Sequence, residues 1–149
     1  MSSHAVAITK VNIVARHFDE TLAFYRILGL DIPEVYGQPA ETRHAPADSG
    51  STSFAIDNEA MAHIYNAGWR SGAAETSVLL VAQLAYREAV DTTYAALTQA
   101  GYKAIQSPYD TFWGSRFAII VDPEGNSVGL ESPSEESKRS WPPQHSPNL

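Results

Sequence analysis

The stretch Trp113-Gly114-Ser115-Arg116-Phe117-Ala118-Ile119-Ile120-Val121-Asp122-Pro123-Glu124-Gly125-Asn126 holds an apolar run of strand length followed by a cluster of turn formers. Phe117 to Val121 predicts one strand, and Ser127 to Leu130 predicts a second directly after the cluster. Pro123 fixes one backbone torsion and Gly125 permits a left-handed one, so Asp122 to Asn126 predicts a tight reversal. The residues themselves therefore predict a hairpin, which any β-containing fold could use.

Upstream, Ser77 to Ala82 is a strongly apolar strand, and Tyr86 to Ala100 has the periodicity of an amphipathic helix stopped by Gly101. The same order occurs nearer the amino terminus. Ile8 to Ala15 predicts a strand, and a helix runs from an N-cap at about Asp19 to Leu28, with Leu22, Phe24, Tyr25 and Leu28 on its apolar face and Gly29 as its stop. Residues Pro33 to Ser53 are rich in Pro, Gly, Ser, Glu and His and predict a long polar loop that contains His44. Ser53 to Ile56 and Ala60 to Tyr65, separated by Asp57 and Asn58, predict a second hairpin. Val14-Ala15, helix, Gly29, Ile32 is thus echoed by Val81-Ala82, helix, Gly101, Ile105. The expectation is one α+β domain over 1–133, with module one at about 5–68, module two at about 75–133, and a flexible tail over 134–149.

Composition narrows the function classes. The chain has 149 residues, 44% of them hydrophobic, which suffices for one core. It contains no cysteine, so thiolate catalysis and sulfur-ligated zinc are excluded. Its net charge of -7, with ten Lys and Arg spread along the chain, offers no basic stripe for nucleic acid. Ala5 to Ile8 is too short for a signal peptide and no segment is long and apolar enough for a membrane span, which leads to an expected cytoplasmic location without a membrane partner.

The quoted stretch resembles the closing motif of the glyoxalase, bleomycin-resistance and extradiol-dioxygenase superfamily, the vicinal oxygen chelate proteins. Leu22-Ala23-Phe24-Tyr25-Arg26 before Leu28-Gly29-Leu30 is similar to that family's first helix and its exit. Together with the repeat, the resemblance covers roughly Ile8 to Pro133. It implies two βαβββ modules that form a curled mixed sheet around a shared cavity, and a homodimer.

Many relatives hold a divalent metal near the start of each module's first strand and on each module's last strand. Here the resemblance puts those positions at Lys10, Ala62, near Ser77 and at Gly129. None supplies a usable donor, and a protonated Lys repels a cation. His63 next to Ala62 would point to the other face of a strand. The expectation is therefore no metal and no cofactor.

What the resemblance then implies is a binding protein of the bleomycin-resistance type, which sequesters a small aromatic molecule, an antibiotic being one case. Candidate ligand-binding residues are Lys10, Asn12, Trp69, Trp113 and Glu131, with Tyr109 and Phe112 as further aromatics in connectors. Core packing or a dimer contact would equally explain Trp69 and Trp113, and is preferred for Tyr65. The competing reading is a metal-free lyase, isomerase or cyclase acting on a small metabolite, with Lys10, Asn12 or Glu131 moving the proton. For Lys10 and Glu131 an ion pair is the simpler account. A scaffold domain with no ligand is the third reading. His17 is expected at the surface, while His4 and His145 fall in the terminal segments.

Overall fold

The computed structural model describes residues 10–34, 41–50, 52–65 and 79–140, with the side chains of Lys10 and Tyr65 left aside. The chain divides into two compact units, Met1–Ala73 and Ala74–Leu149.

In the first unit, β1 (Lys10–Ala15) is followed by α1 (Phe18–Leu28), β2 (His44–Ala47), β3 (Ser53–Asn58) and α2 (Glu59–Tyr65). The sheet order is β1-β3-β2, with β1 parallel and β2 antiparallel to β3. Thr21, Leu22, Phe24, Tyr25 and Leu28 are buried on α1, as the 3.6-residue period predicts. The helix starts at Phe18, and Asp19 lies in its first turn, where its charge suits the positive end of the helix dipole, instead of capping it. At the other end Gly29 takes φ 118°, and Leu30 N–H returns to the Tyr25 carbonyl at 3.0 Å, closing a Schellman turn. Tyr25 meets Phe54 with ring centroids 5.2 Å apart, so α1 covers the sheet face that carries Phe54. Register and alternation put Asn12, Val14, Ala55, Asp57 and His44 on the opposite face.

Two expectations fail in this unit. Residues 33–53 are not one loop, because His44–Ala47 pairs with β3; Pro46 is tolerated because β2 lies at the edge of the described sheet, where a missing N–H is harmless. Ala60 to Tyr65 is helix and not a second hairpin strand. Asp57 and Asn58 complete β3 instead of turning, and Asn58 Oδ1 accepts the N–H of Met61 at 2.9 Å, which is an N-cap bond. The first unit thus shows three paired strands among the described residues, with an isolated Asp31↔Asp48 bridge beside them.

The second unit has the full β-α-β-β-β order. β4 (Leu79–Gln83), α3 (Arg87–Gln99), β5 (Ala104–Asp110), β6 (Arg116–Val121) and β7 (Ser127–Glu131) form a sheet in the order β4-β7-β6-β5. β4 lies parallel to β7, as β1 lies parallel to β3 in the first unit. α3 packs on β5, β6 and β7 through Val90 and Leu97, over buried Ala118, Ile120, Val128 and Leu130. The 122–126 reversal is organised by Asp122, whose carboxylate accepts the N–H groups of Glu124 at 2.9 Å and Asn126 at 2.8 Å, and the Asn126 amide at 2.8 Å. Gly125 completes it at φ 86°.

Both units are α+β with mixed sheets of three and four strands, and neither sheet closes into a barrel. Of the segment expected as a flexible tail, residues 134–140 are described. Glu135 N–H donates to the Gly114 carbonyl at 3.0 Å and Ser140 N–H to that of Phe112 at 2.9 Å, while a short 3₁₀ turn spans Glu136–Lys138. A polar segment holds its course here because its backbone finds partners on the 112–114 turn.

Candidate functional site

In the second unit the site grows from the turn between β5 and β6. Thr111 Oγ1 donates to the Ser115 carbonyl and accepts the Ser115 N–H, both at 3.0 Å, which fixes the loop that carries Phe112, Trp113 and Gly114. Gly114 sits at φ 95° against the Glu135 carbonyl, closer than any Cβ could approach, so no other residue fits there. Trp113 is half-buried. Its ring meets Phe112 at 5.1 Å and Phe117 at 5.8 Å between centroids, edge to face in both cases. Its indole N–H donates to Glu131 Oε1 at 2.7 Å. Beside it lies an open groove of about 620 Å³ lined by Phe112, Trp113, Ser134, Arg139 and Ser140. Ser134 donates its hydroxyl to the Trp113 carbonyl and accepts from Arg139 Nε at 3.2 Å.

The flank of this turn is braced by ion pairs. Arg87 contacts Asp110, and donates to the Gly114 carbonyl at 3.0 Å. Arg116 pairs with Asp91 at 2.8 Å and with Asp110 at 3.3 Å. The hydrogen bonds that Arg116 donates to Asp91 are the main reason that the Arg116 pKa is raised above its ordinary value.

Of the expected ligand-binding residues, Trp113 and Glu131 are brought together by their shared hydrogen bond. Asn12 is exposed on the face of the first sheet away from α1. Lys10 opens β1, and its side chain lies outside the described set, as do all of Trp69 and Ser77. Ala62 is fully buried on α2 and so does not belong to a closing strand, and His63 is exposed on the same helix. Gly129 does not leave open space, because a Cβ there would lie 3.0 Å from Phe117 Cε2 and 3.4 Å from Val81 Cγ2. Among the described residues no three His, Asp or Glu side chains converge as a metal cluster would.

One pairing escaped the sequence reading. His44, expected in a loop, lies opposite Asp57 in the β2–β3 register, and its Nδ1 lies within hydrogen-bond distance of Asp57 Oδ1, at 2.5 Å. The Asp57 side chain is 1% exposed and that of His44 33%. The only trace in the sequence is that both residues flank short apolar runs, a signal too common to single them out.

The match to known proteins follows this architecture. The family model of the Glyoxalase/Bleomycin resistance protein/Dioxygenase superfamily matches residues 7–130. The structure of a glyoxalase/bleomycin resistance protein/dioxygenase family enzyme from Burkholderia phytofirmans PsJN is similar at 25% identity and TM-score 0.69, covering 85% of this chain and 98% of that one. Lactoylglutathione lyase from Agrobacterium tumefaciens shares 20% identity at TM-score 0.59, with 85% and 92% of the two chains covered. TioX from Micromonospora sp. ML1 shares 17% at TM-score 0.59, covering 85% and 98%. These last two likenesses are of fold alone. No curated protein matches the chain. No helix among the described residues is long and apolar enough to cross a membrane. Because the match runs through both repeated units, the chain belongs to the glyoxalase/bleomycin resistance protein/dioxygenase superfamily, the vicinal oxygen chelate proteins.

Proposed function

We propose that the protein binds a small planar aromatic molecule without a metal, in the manner of antibiotic sequestration by bleomycin-resistance proteins, as a cytoplasmic homodimer. The observation that carries this reading is Trp113, a flat ring held at its edge by Glu131 and bordering a groove of about 620 Å³. A ring fixed in advance loses little freedom when a ligand stacks on it, and stacking adds on the order of 1 kcal/mol beyond burial. The packed position of Gly129 supports the metal-free part, since a longer donor side chain would have to displace Phe117. Lys10, Asn12 and Trp69 are further proposed ligand contacts. Glu131 acts here by orienting Trp113.

Tryptophan fluorescence titration with a panel of planar aromatic antibiotics and metabolites tests the binding. A saturable change that Trp113→Ala weakens at least about tenfold, equivalent to 1.4 kcal/mol, is expected. Binding that neither Trp113→Ala nor Trp69→Ala alters would remove the stacking role. Light scattering should report twice the chain mass.

The second reading, a metal-free lyase, isomerase or cyclase, is favoured by the His44–Asp57 pair. Glu131 is engaged with Trp113, so a proton-transfer role falls more naturally to an imidazole backed by a buried carboxylate.

A further inference from the structure

We propose that the groove beside Trp113 selects aromatic acids, with the ligand's ring stacked on Trp113 and its carboxylate held by Arg139. This rests on the binding reading above and adds to it the sign of the ligand's charge.

The argument begins with the company that arginines keep. The chain has 17 Asp and Glu against 10 Lys and Arg, so a guanidinium readily finds a carboxylate. Arg26 meets Glu34, Arg43 meets Asp19, Arg87 meets Asp110 and Arg116 meets Asp91. Arg139 departs from that pattern. Its Nε and Nη2 both donate to Ser134 Oγ, an uncharged oxygen, at 3.2 Å each. That contact uses one side of the guanidinium fork. The other edge, Nη1 with the second Nη2 hydrogen, has no partner among the described residues, and its two parallel N–H groups match the oxygen spacing of a carboxylate. Glu135 is paired with Arg87 at 3.8 Å, and Glu136 and Lys138 on the same 3₁₀ turn carry opposite charges.

The cation is positioned before any ligand arrives. Ser134, which holds the side of the guanidinium, donates its own hydroxyl to the Trp113 carbonyl. The Arg139 stem lies over Gly114, where a Cβ would come 3.0 Å from Arg139 Cγ, and the following residue is tied down by the Ser140 N–H to the Phe112 carbonyl at 2.9 Å. Indole ring and guanidinium are thus carried on one turn and line one groove. The Ser140 hydroxyl, with no hydrogen-bond partner among the described residues, adds a neutral donor to the same lining. A cationic ligand would meet repulsion there and a neutral one would leave the guanidinium edge without an anion, whereas an aromatic carboxylate satisfies both ring and fork. The net charge of -7 does not decide the matter, because charges beyond about 8 Å are largely screened at physiological salt and Arg139 is in the groove itself.

The test compares an acid with its uncharged isostere. Isothermal titration calorimetry at neutral pH measures 2-naphthoate and 2-naphthamide on wild type, Arg139→Gln, Arg139→Lys and Trp113→Ala. Wild type should bind the acid about fivefold more tightly than the amide at low salt, and the preference should shrink in about 0.5 M sodium chloride. Arg139→Gln should abolish the preference and leave the amide affinity unchanged, which a general loosening of the segment would not do. Arg139→Lys, which keeps the charge without the fork, should retain only part of it. Equal affinity for acid and amide on wild type overturns the proposal, and so does a preference that survives in Arg139→Gln. The two readings fail separately. If the amide binds through Trp113 and the acid binds no better, aromatic binding stands and the charge assignment falls. If the acid binds through Arg139 but Trp113→Ala changes nothing, stacking falls and the anion site stands. If neither probe binds wild type, both are refuted.

Discussion

Trp113 and Glu131 are joined by one hydrogen bond of 2.7 Å from the indole N–H to Oε1, which links the β5–β6 turn to the last residue of β7. Its removal frees the ring. Glu131→Ala should cost about 1 kcal/mol of stability and shift tryptophan emission to the red, and any aromatic ligand should bind more weakly. Steady-state fluorescence and a urea melt measure both effects.

Gly129 is packed under Phe117 and Val81. Gly129→Glu, which would install a donor of the kind metal-binding relatives use, should therefore destabilise the protein by about 1–3 kcal/mol by overpacking, without creating nickel or zinc affinity. Thermal melts with and without metal would show this, and a metal-induced rise in Tm would contradict it.

Asn58 Oδ1 accepts the N–H groups of Met61 at 2.9 Å and Arg43 at 3.1 Å, and its amide donates to the Glu41 carbonyl at 2.9 Å. Asn58→Ala should cost about 2 kcal/mol, more than a simple cap, because the approach to β2 is released together with the start of α2. Asn58→Asp should recover part of that loss, since it keeps the cap. Chemical denaturation of the three proteins gives the ranking.

Asp122→Ala removes the acceptor for two backbone N–H groups and one side-chain amide in the 122–126 reversal. A loss of about 2–3 kcal/mol is expected, with the register of β6 on β7 weakened as well. Faster amide exchange along Arg116–Val121 would report the second effect.

Purified protein should hold no stoichiometric divalent metal. Lys10 repels cations, Ala62 is buried on a helix and Gly129 is filled from above. Elemental analysis after gel filtration settles the point, and one tightly held zinc, nickel, iron or manganese per chain would refute it.

Residues with strong local preferences were legible in the sequence. The α1 stripe ending at Gly29, the α3 stripe and the Asp122–Asn126 reversal all appear where their periodicity and turn chemistry put them. Where the sequence misled, two local codes overlapped. Asp57-Asn58 is as good a turn dipeptide as it is a strand end and N-cap, and only pairing of β3 with both neighbours resolves it. β2 was hidden by Pro46, which argues against a strand unless the strand is at an edge. For the candidate sites, Trp113 stood out as a large ring in a connector, but its bond to Glu131 depends on sheet register. The His44–Asp57 pair was illegible for the same reason, since neither residue has a local partner that marks it.

The parallel pairing of opening and closing strands also sets an order of events at the ribosome. β4 can join its sheet only after β7 has been made, because Leu79 pairs opposite Ser127 and Gln83 opposite Glu131. Until then Leu79 and Val81, exposed even in the finished sheet, sit on a nascent strand whose ladder has no template. Such distant pairing is paid for in loop-closure entropy and slows folding, so the second unit should complete itself only near the end of translation. The first unit, whose β1 needs only residues up to Asn58, can close much earlier.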